Sequence, residues 1–194
     1  MTEIKSLCLY CGSSDGANPA FREAARQLGA MLAERGIRLI YGGGHVGLMG
    51  VAADAALAKG GTVIGVIPKF LIDAEVGHSG VSELVVVGSM HERKQRMFEL
   101  ADGFAILPGG LGTLDEMIEI ITWKQLHLHD KPIALIDIDG YWSALSSLID
   151  KVVAMGFAKP AAKDLFTVVR RVDDLLPALA AAPKARVTAL PGRL

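Results

Sequence analysis

An alternation between two kinds of hydrophobic pattern constrains this chain more than any other feature. Short, nearly continuous apolar runs rich in β-branched residues occupy positions 6–10, 38–41, 62–67, 83–87, 104–107, 133–138 and 166–169. Longer stretches with helical spacing lie between and after them, at 19–35, 47–59, 90–101, 114–127, 141–155 and 172–181. A strand with one wet face alternates apolar and polar residues. A continuous apolar run needs cover on both faces, which a parallel sheet between two helix layers supplies. The alternation predicts an α/β chain: a Rossmann-like, doubly wound, mostly parallel sheet of about seven strands with helices on both faces. No composition break divides residues 1–181, which are expected to form one nucleotide-binding domain. Residues 182–194 carry two prolines and little periodicity, the pattern of a flexible tail.

Composition removes several classes of function. With 51% hydrophobic and 21% charged residues the chain is too apolar to remain disordered. Charges or glycines interrupt every apolar run well short of the about 20 residues of a membrane-spanning helix, so no membrane partner is expected. Twenty basic residues face twenty-one acidic ones, a net charge of −1, whereas a nucleic-acid binder normally carries a basic excess. Cys8 and Cys11 are too few for a disulfide framework, and the polar residues 1–5 do not read as a signal peptide. The cytoplasm is the expected compartment.

In a doubly wound sheet, ligands bind at the carboxyl ends of the strands, so the glycine-rich turns after them are the candidate sites. The 22 glycines cluster there rather than spreading as a linker would. Residues 42–47, Gly-Gly-Gly-His-Val-Gly, match G-x-G-x-x-G between a strand and a helix, a context for holding phosphate. They follow the second strand, however, and the dinucleotide fingerprint belongs after the first; a tight turn with close helix packing fits equally. Residues 108–113, Pro-Gly-Gly-Leu-Gly-Thr, form a second such turn. Two readings of Glu116 stand side by side. Thr113 and Glu116 spell a capping box. Glu116 also shares a helical face with Ile120 and Trp123, toward the sheet, where a carboxylate is costly without a partner or ligand.

The segment Met90-His91-Glu92-Arg93-Lys94 opens a helix behind the capping pair Ser89 and Glu92. Two cations in a first turn oppose the helix dipole. By helical spacing Met90, Lys94, Met97 and Ala101 share a stripe with Arg93 beside it, which favours an anion site, phosphate first, over stems that snorkel to water. Cys8-Leu9-Tyr10-Cys11 is a C-x-x-C within a strand, and no second ligand pair exists for zinc, so no metal is expected. His127 and His129 sit where a helix ends and read as solvated. The chain has no H-E-x-x-H, G-x-S-x-G or P-loop lysine motif.

Together, Tyr41-Gly42-Gly43-Gly44, Met90-His91-Glu92-Arg93-Lys94 and the run from Pro108 to Glu116 resemble the Lonely Guy family. These are cytokinin riboside 5′-monophosphate phosphoribohydrolases, many once labelled lysine decarboxylases. Cys11-Gly12-Ser13-Ser14, Ile67-Pro68 and Ile121-Thr122-Trp123-Lys124-Gln125-Leu126 extend the resemblance over residues 7–157. It implies hydrolysis of the N-glycosidic bond of an adenine nucleoside 5′-monophosphate, AMP or an N6-modified relative, to free base and ribose 5-phosphate. By motif position it makes Arg93 and Glu116 the catalytic pair. It makes Glu75, Arg93, Lys94, Gly109, Gly110, Leu111, Gly112, Thr113, Leu114, Asp115, Glu116 and Thr122 substrate-binding. Glu75 lies in a segment that follows the family pattern only loosely, and Asp115 stands where many members have Glu. The resemblance further implies a homodimer and no cofactor.

The chemistry of the residues agrees. Breaking a C–N glycosidic bond passes through an oxocarbenium-like state, which a carboxylate stabilises or supplies with activated water. Loop amides and basic groups would hold the 5′-phosphate, spending remote binding energy on orientation. A nucleotide sensor or carrier without turnover is the alternative, with Glu116 as a cap, and a dinucleotide oxidoreductase comes third. A pyridoxal-phosphate decarboxylase would need Lys94 as its Schiff-base lysine, a role that an adjacent Arg at a helix start does not suit.

Overall fold

The computed structural model describes residues 4–72 and 76–183. Each apolar run is a strand: β1 (Ser6–Tyr10), β2 (Arg38–Tyr41), β3 (Val63–Pro68), β4 (Glu83–Val87), β5 (Gly103–Ile106), β6 (Ile133–Ile136) and β7 (Thr167–Val169). They form one sheet in the order β4-β3-β2-β1-β5-β6-β7. Every neighbouring pair is parallel. The interior strands β1, β3, β5 and β6 are buried at every residue, as continuous apolar runs require. The edge strands β4 and β7 are only partly covered, with Glu83, Val86 and Val168 exposed.

Six helices cover the sheet: α1 (Pro19–Glu34), α2 (Gly47–Ala58), α3 (Met90–Leu100), α4 (Leu111–Gln125), α5 (Ser143–Ala154) and α6 (Leu175–Ala181). Successive residues of β1 feed opposite layers. Leu7 and Leu9 pack with Leu28 and Leu32 of α1, Ala52 of α2 and Leu175 of α6. Cys8 and Tyr10 pack with Met97 of α3, Met117 and Ile120 of α4, and Trp142. Each fully buried leucine contributes about 1.5–3 kcal/mol of apolar transfer, which is what holds the amphipathic helices to the sheet. Among the described residues no helix is long and apolar enough to cross a membrane.

The chain winds outward from β1 to β4, and α3 then carries it back to β5 beside β1. Connections leave β1 and β5 in opposite directions, so a crevice opens at their carboxyl ends. A cavity of about 200 Å3 sits there, bordered by Gly12, Ser14, Pro108, Gly109, Gly110 and Tyr141.

One expectation fails beside α4. His127 is exposed as read, and with φ 59° it ends the helix, its N–H donating to the Lys124 carbonyl at 3.0 Å. His129, read as solvated, is buried. The chain turns back under α4 to enter β6, and the ring fills the gap beside Phe98. Its Nδ1 accepts from the Lys131 N–H at 3.1 Å, so the ring hydrogen belongs on Nε2, which donates to the Ile120 carbonyl at 2.8 Å.

Candidate active site

The start of α4 differs from the sequence reading in a way that bears on Glu116. Gly110 is the N-cap, in an extended conformation, and no side chain caps the helix. Thr113 is therefore the third helical residue rather than the cap, and the Thr113–Glu116 capping box does not form. Glu116 lies a full turn inside the helix. The first amides of α4 have no intrahelical partners, and with a glycine cap no side chain takes them at the positive end of the helix dipole. Gly110, Leu111 and Gly112 are exposed around this end, while Thr113 is buried.

Arg93 is buried at 5% exposure near the start of α3, with its guanidinium inside the protein. Its Nε donates to the Val66 carbonyl at 3.2 Å and its Nη2 to the Gly42 carbonyl at 2.8 Å. Gly42 must be glycine for this: a Cβ there would meet the guanidinium. The glycine run after β2 thus admits a side chain from α3. Lys94 points to α4 instead, its Nζ 3.1 Å from Asp115 Oδ2 and 3.1 Å from Glu119 Oε1. Burial pulls its pKa down, but the hydrogen bonds and charges of Glu119 and Asp115 outweigh this and raise it above its usual value. Asp115 and Glu119 thus lie on the side of α4 that faces α3, and Thr122 is exposed. Between these helices lies a cavity of about 230 Å3 lined by His91, Lys94, Gln95, Phe98, Glu119 and Trp123.

Glu116 is half-buried on the sheet side of α4. Its charge reaches three groups of β1 and its end: the Cys8 thiol, the Tyr10 hydroxyl and the Cys11 thiol. The Arg93 guanidinium acts on the same Cys8 thiol with opposite sign. Two helices that begin 21 residues apart thereby bring the two expected catalytic groups over one strand. Burial first, and the Glu116 charge second, push both thiols well above their usual range. Cys8 and Cys11 are free, buried and in opposite core layers, so the C-x-x-C carries no redox pair.

The first glycine loop is occupied by the chain itself. The His45 N–H donates to the Val76 carbonyl and the His78 N–H to the Gly43 carbonyl, both at 2.9 Å. A cluster that sequence spacing did not show ties this pairing down. The Nε2 atoms of His45 and His78 both lie 3.1 Å from the Asp54 carboxylate. Their rings stack at 3.9 Å and 19°. One ligand atom from each of His45, Asp54 and His78 lies within 4.8 Å of the others. The Gly80 N–H donates to His78 Nδ1 at 3.1 Å, which leaves the ring hydrogen on Nε2, toward Asp54. The three side chains form a hydrogen-bonded clasp across the loop.

Gly109 and Leu114 flank the cradle, and Glu75 lies outside the described residues. Sequence reading also missed Tyr141, whose hydroxyl donates to the Gly109 carbonyl at 2.6 Å. No local pattern could signal that contact, because 32 residues separate the two.

The strand order and the crevice define a Rossmann-like protein with a candidate nucleotide site at the β1/β5 switch point. The chain belongs to the Lonely Guy family, whose model, described as "possible lysine decarboxylase", matches residues 49–179. It is 45% identical over 175 residues to a cytokinin riboside 5′-monophosphate phosphoribohydrolase of Arabidopsis thaliana, covering 90% of this chain and 81% of that one. A second Arabidopsis thaliana protein of the same name is 43% identical over 183 residues, covering 91% and 86%. Among solved structures, the molybdenum cofactor binding protein of Rippkaea orientalis superimposes with a TM-score of 0.69 at 20% identity, over 93% of this chain and 98% of that one. The molybdenum cofactor carrier protein of Chlamydomonas reinhardtii gives 0.67 at 20% identity, over 92% and 97%. At that identity the likeness is one of fold.

Proposed function

We propose that this protein hydrolyses the N-glycosidic bond of adenine nucleoside 5′-monophosphates, N6-modified cytokinin riboside monophosphates, AMP or both, releasing the base and ribose 5-phosphate. The observation that carries the reading is that α3 and α4 both pack on β1, with the Glu116 and Arg93 charges both felt at Cys8 in its middle, beside the uncapped start of α4. The α4 amides would take the 5′-phosphate. Glu116 would stabilise positive charge on the ribose or activate the attacking water. Arg93, fixed by two carbonyls, offers its charge without the cost of ordering it when substrate arrives. The name shared by the Arabidopsis thaliana relatives supports the reaction class.

The decarboxylase description fits the residues poorly. A Schiff-base lysine must lose its proton readily, whereas two carboxylates hold Lys94 protonated. We further propose a cytoplasmic homodimer: the two thiols are free, and Leu111, Ile118 and Leu126 leave apolar surface along α4.

Chromatography of the purified protein incubated with AMP, adenosine and N6-isopentenyl-AMP tests the reaction. Free base is expected from at least one monophosphate and none from adenosine. Glu116→Gln should lower turnover by about a hundred- to ten-thousandfold while still binding AMP. No base from either monophosphate would leave a nucleotide-binding protein without turnover and overturn the reading.

A further inference from the structure

We propose that Tyr141 is a positioning residue for the phosphate cradle, acting through the peptide between Gly109 and Gly110. The proposal rests on the phosphoribohydrolase reading above and extends it to a residue outside the family motifs. That peptide joins two glycines, which order less readily than any other pair because neither has a Cβ to restrict it. It also immediately precedes the amides expected to bind the 5′-phosphate. The Tyr141 hydroxyl donates to its carbonyl oxygen at 2.6 Å. In a planar trans peptide the C=O and N–H point in opposite directions. Fixing Gly109 O therefore fixes the Gly110 N–H, and with it the entry angle of the first turn of α4. A cradle ordered before the ligand arrives binds without meeting that ordering cost again.

The hydroxyl comes from a turn that is itself held on several sides. The Tyr141 ring meets Phe21 of α1 edge-on at 5.5 Å and Trp142 at 4.8 Å. Trp142 is buried, and its backbone N–H donates to Asp137 Oδ1 at 2.6 Å. Asn18, which caps α1 through Oδ1, donates from Nδ2 to Asp139 Oδ2 at 2.6 Å. The ring is exposed and borders the crevice at the ends of β1 and β5. Removing one oxygen from it leaves the core intact.

The test compares wild type with Tyr141→Phe by AMP cleavage kinetics and by calorimetric binding of ribose 5-phosphate and of adenine. The KM for AMP and the Kd for ribose 5-phosphate should rise about three- to ten-fold, the worth of one net hydrogen bond. The kcat should stay within about two-fold, with adenine affinity unchanged and the melting temperature lowered by no more than about 2–4 °C. Equal constants in the two proteins, a fall in kcat alone, or an equal loss of adenine affinity would overturn the role. So would a wild type that binds no ribose 5-phosphate. If wild type leaves AMP intact but binds ribose 5-phosphate more tightly than Tyr141→Phe does, the positioning role stands and the hydrolase reading falls.

Discussion

His129 is satisfied only as a neutral ring, because its Nδ1 already accepts the Lys131 N–H and a second hydrogen there would face the first. Burial, reinforced by Lys124 and Lys131 and opposed by the Ile120 carbonyl, lowers its pKa below the usual 6.5. The unfolded chain then takes up this proton first. The stability it contributes is present above about pH 6.5 and is lost as pH falls from there through the folded value. Urea denaturation across that window should show wild type losing stability more steeply than His129→Gln, and parallel curves would refute the assignment. At this scale the sequence identified the chemical groups but not their surroundings. Local spacing placed Glu116 toward the sheet, where it lies. It did not place Arg93 against two carbonyls or His129 under α4, since both depend on chain that is distant in sequence.

At the scale of elements, α1 and α2 approach closely because Gly29 lets them. A Cβ at Gly29 would meet the Ala52 carbonyl, and backbone cannot give way as a flexible side chain does. Gly29→Ala should destabilise by about 1–3 kcal/mol despite its better helix propensity, read as a lower denaturation midpoint. A stabilised variant would mean that the helices can separate without loss. Helix and strand positions were legible because each element satisfies its own periodicity. The start of α4 was misread by three residues, since Thr113 and Glu116 spell a cap while the observed cap, Gly110, has no side chain to announce it. That small error matters, because it decides whether Glu116 is engaged as a cap or stands inside the helix facing β1.

The whole molecule presents one sheet, a switch point, and an α4 with Met117, Ile120 and Ile121 buried in the core, while two large apolar residues, Ile118 and Leu126, are 41% and 58% exposed beside Asp115 and Thr122. Sedimentation of the full chain should give twice the chain mass, and Ile118→Lys should shift it toward one. A wild-type monomer at micromolar concentration would remove the dimer. The sequence by itself determined the fold class and the two motifs, because continuous apolar runs demand cover on both faces and glycine turns declare themselves within a few residues. Only the tertiary structure decided that β1 lies beside β5, that Arg93 rests on Gly42 and Val66, that Tyr141 holds Gly109, and that Asp54 joins His45 to His78. Those contacts join residues on separate elements, and their energies depend on geometry that exists only once the chain has closed on itself; no periodicity in the sequence encodes them.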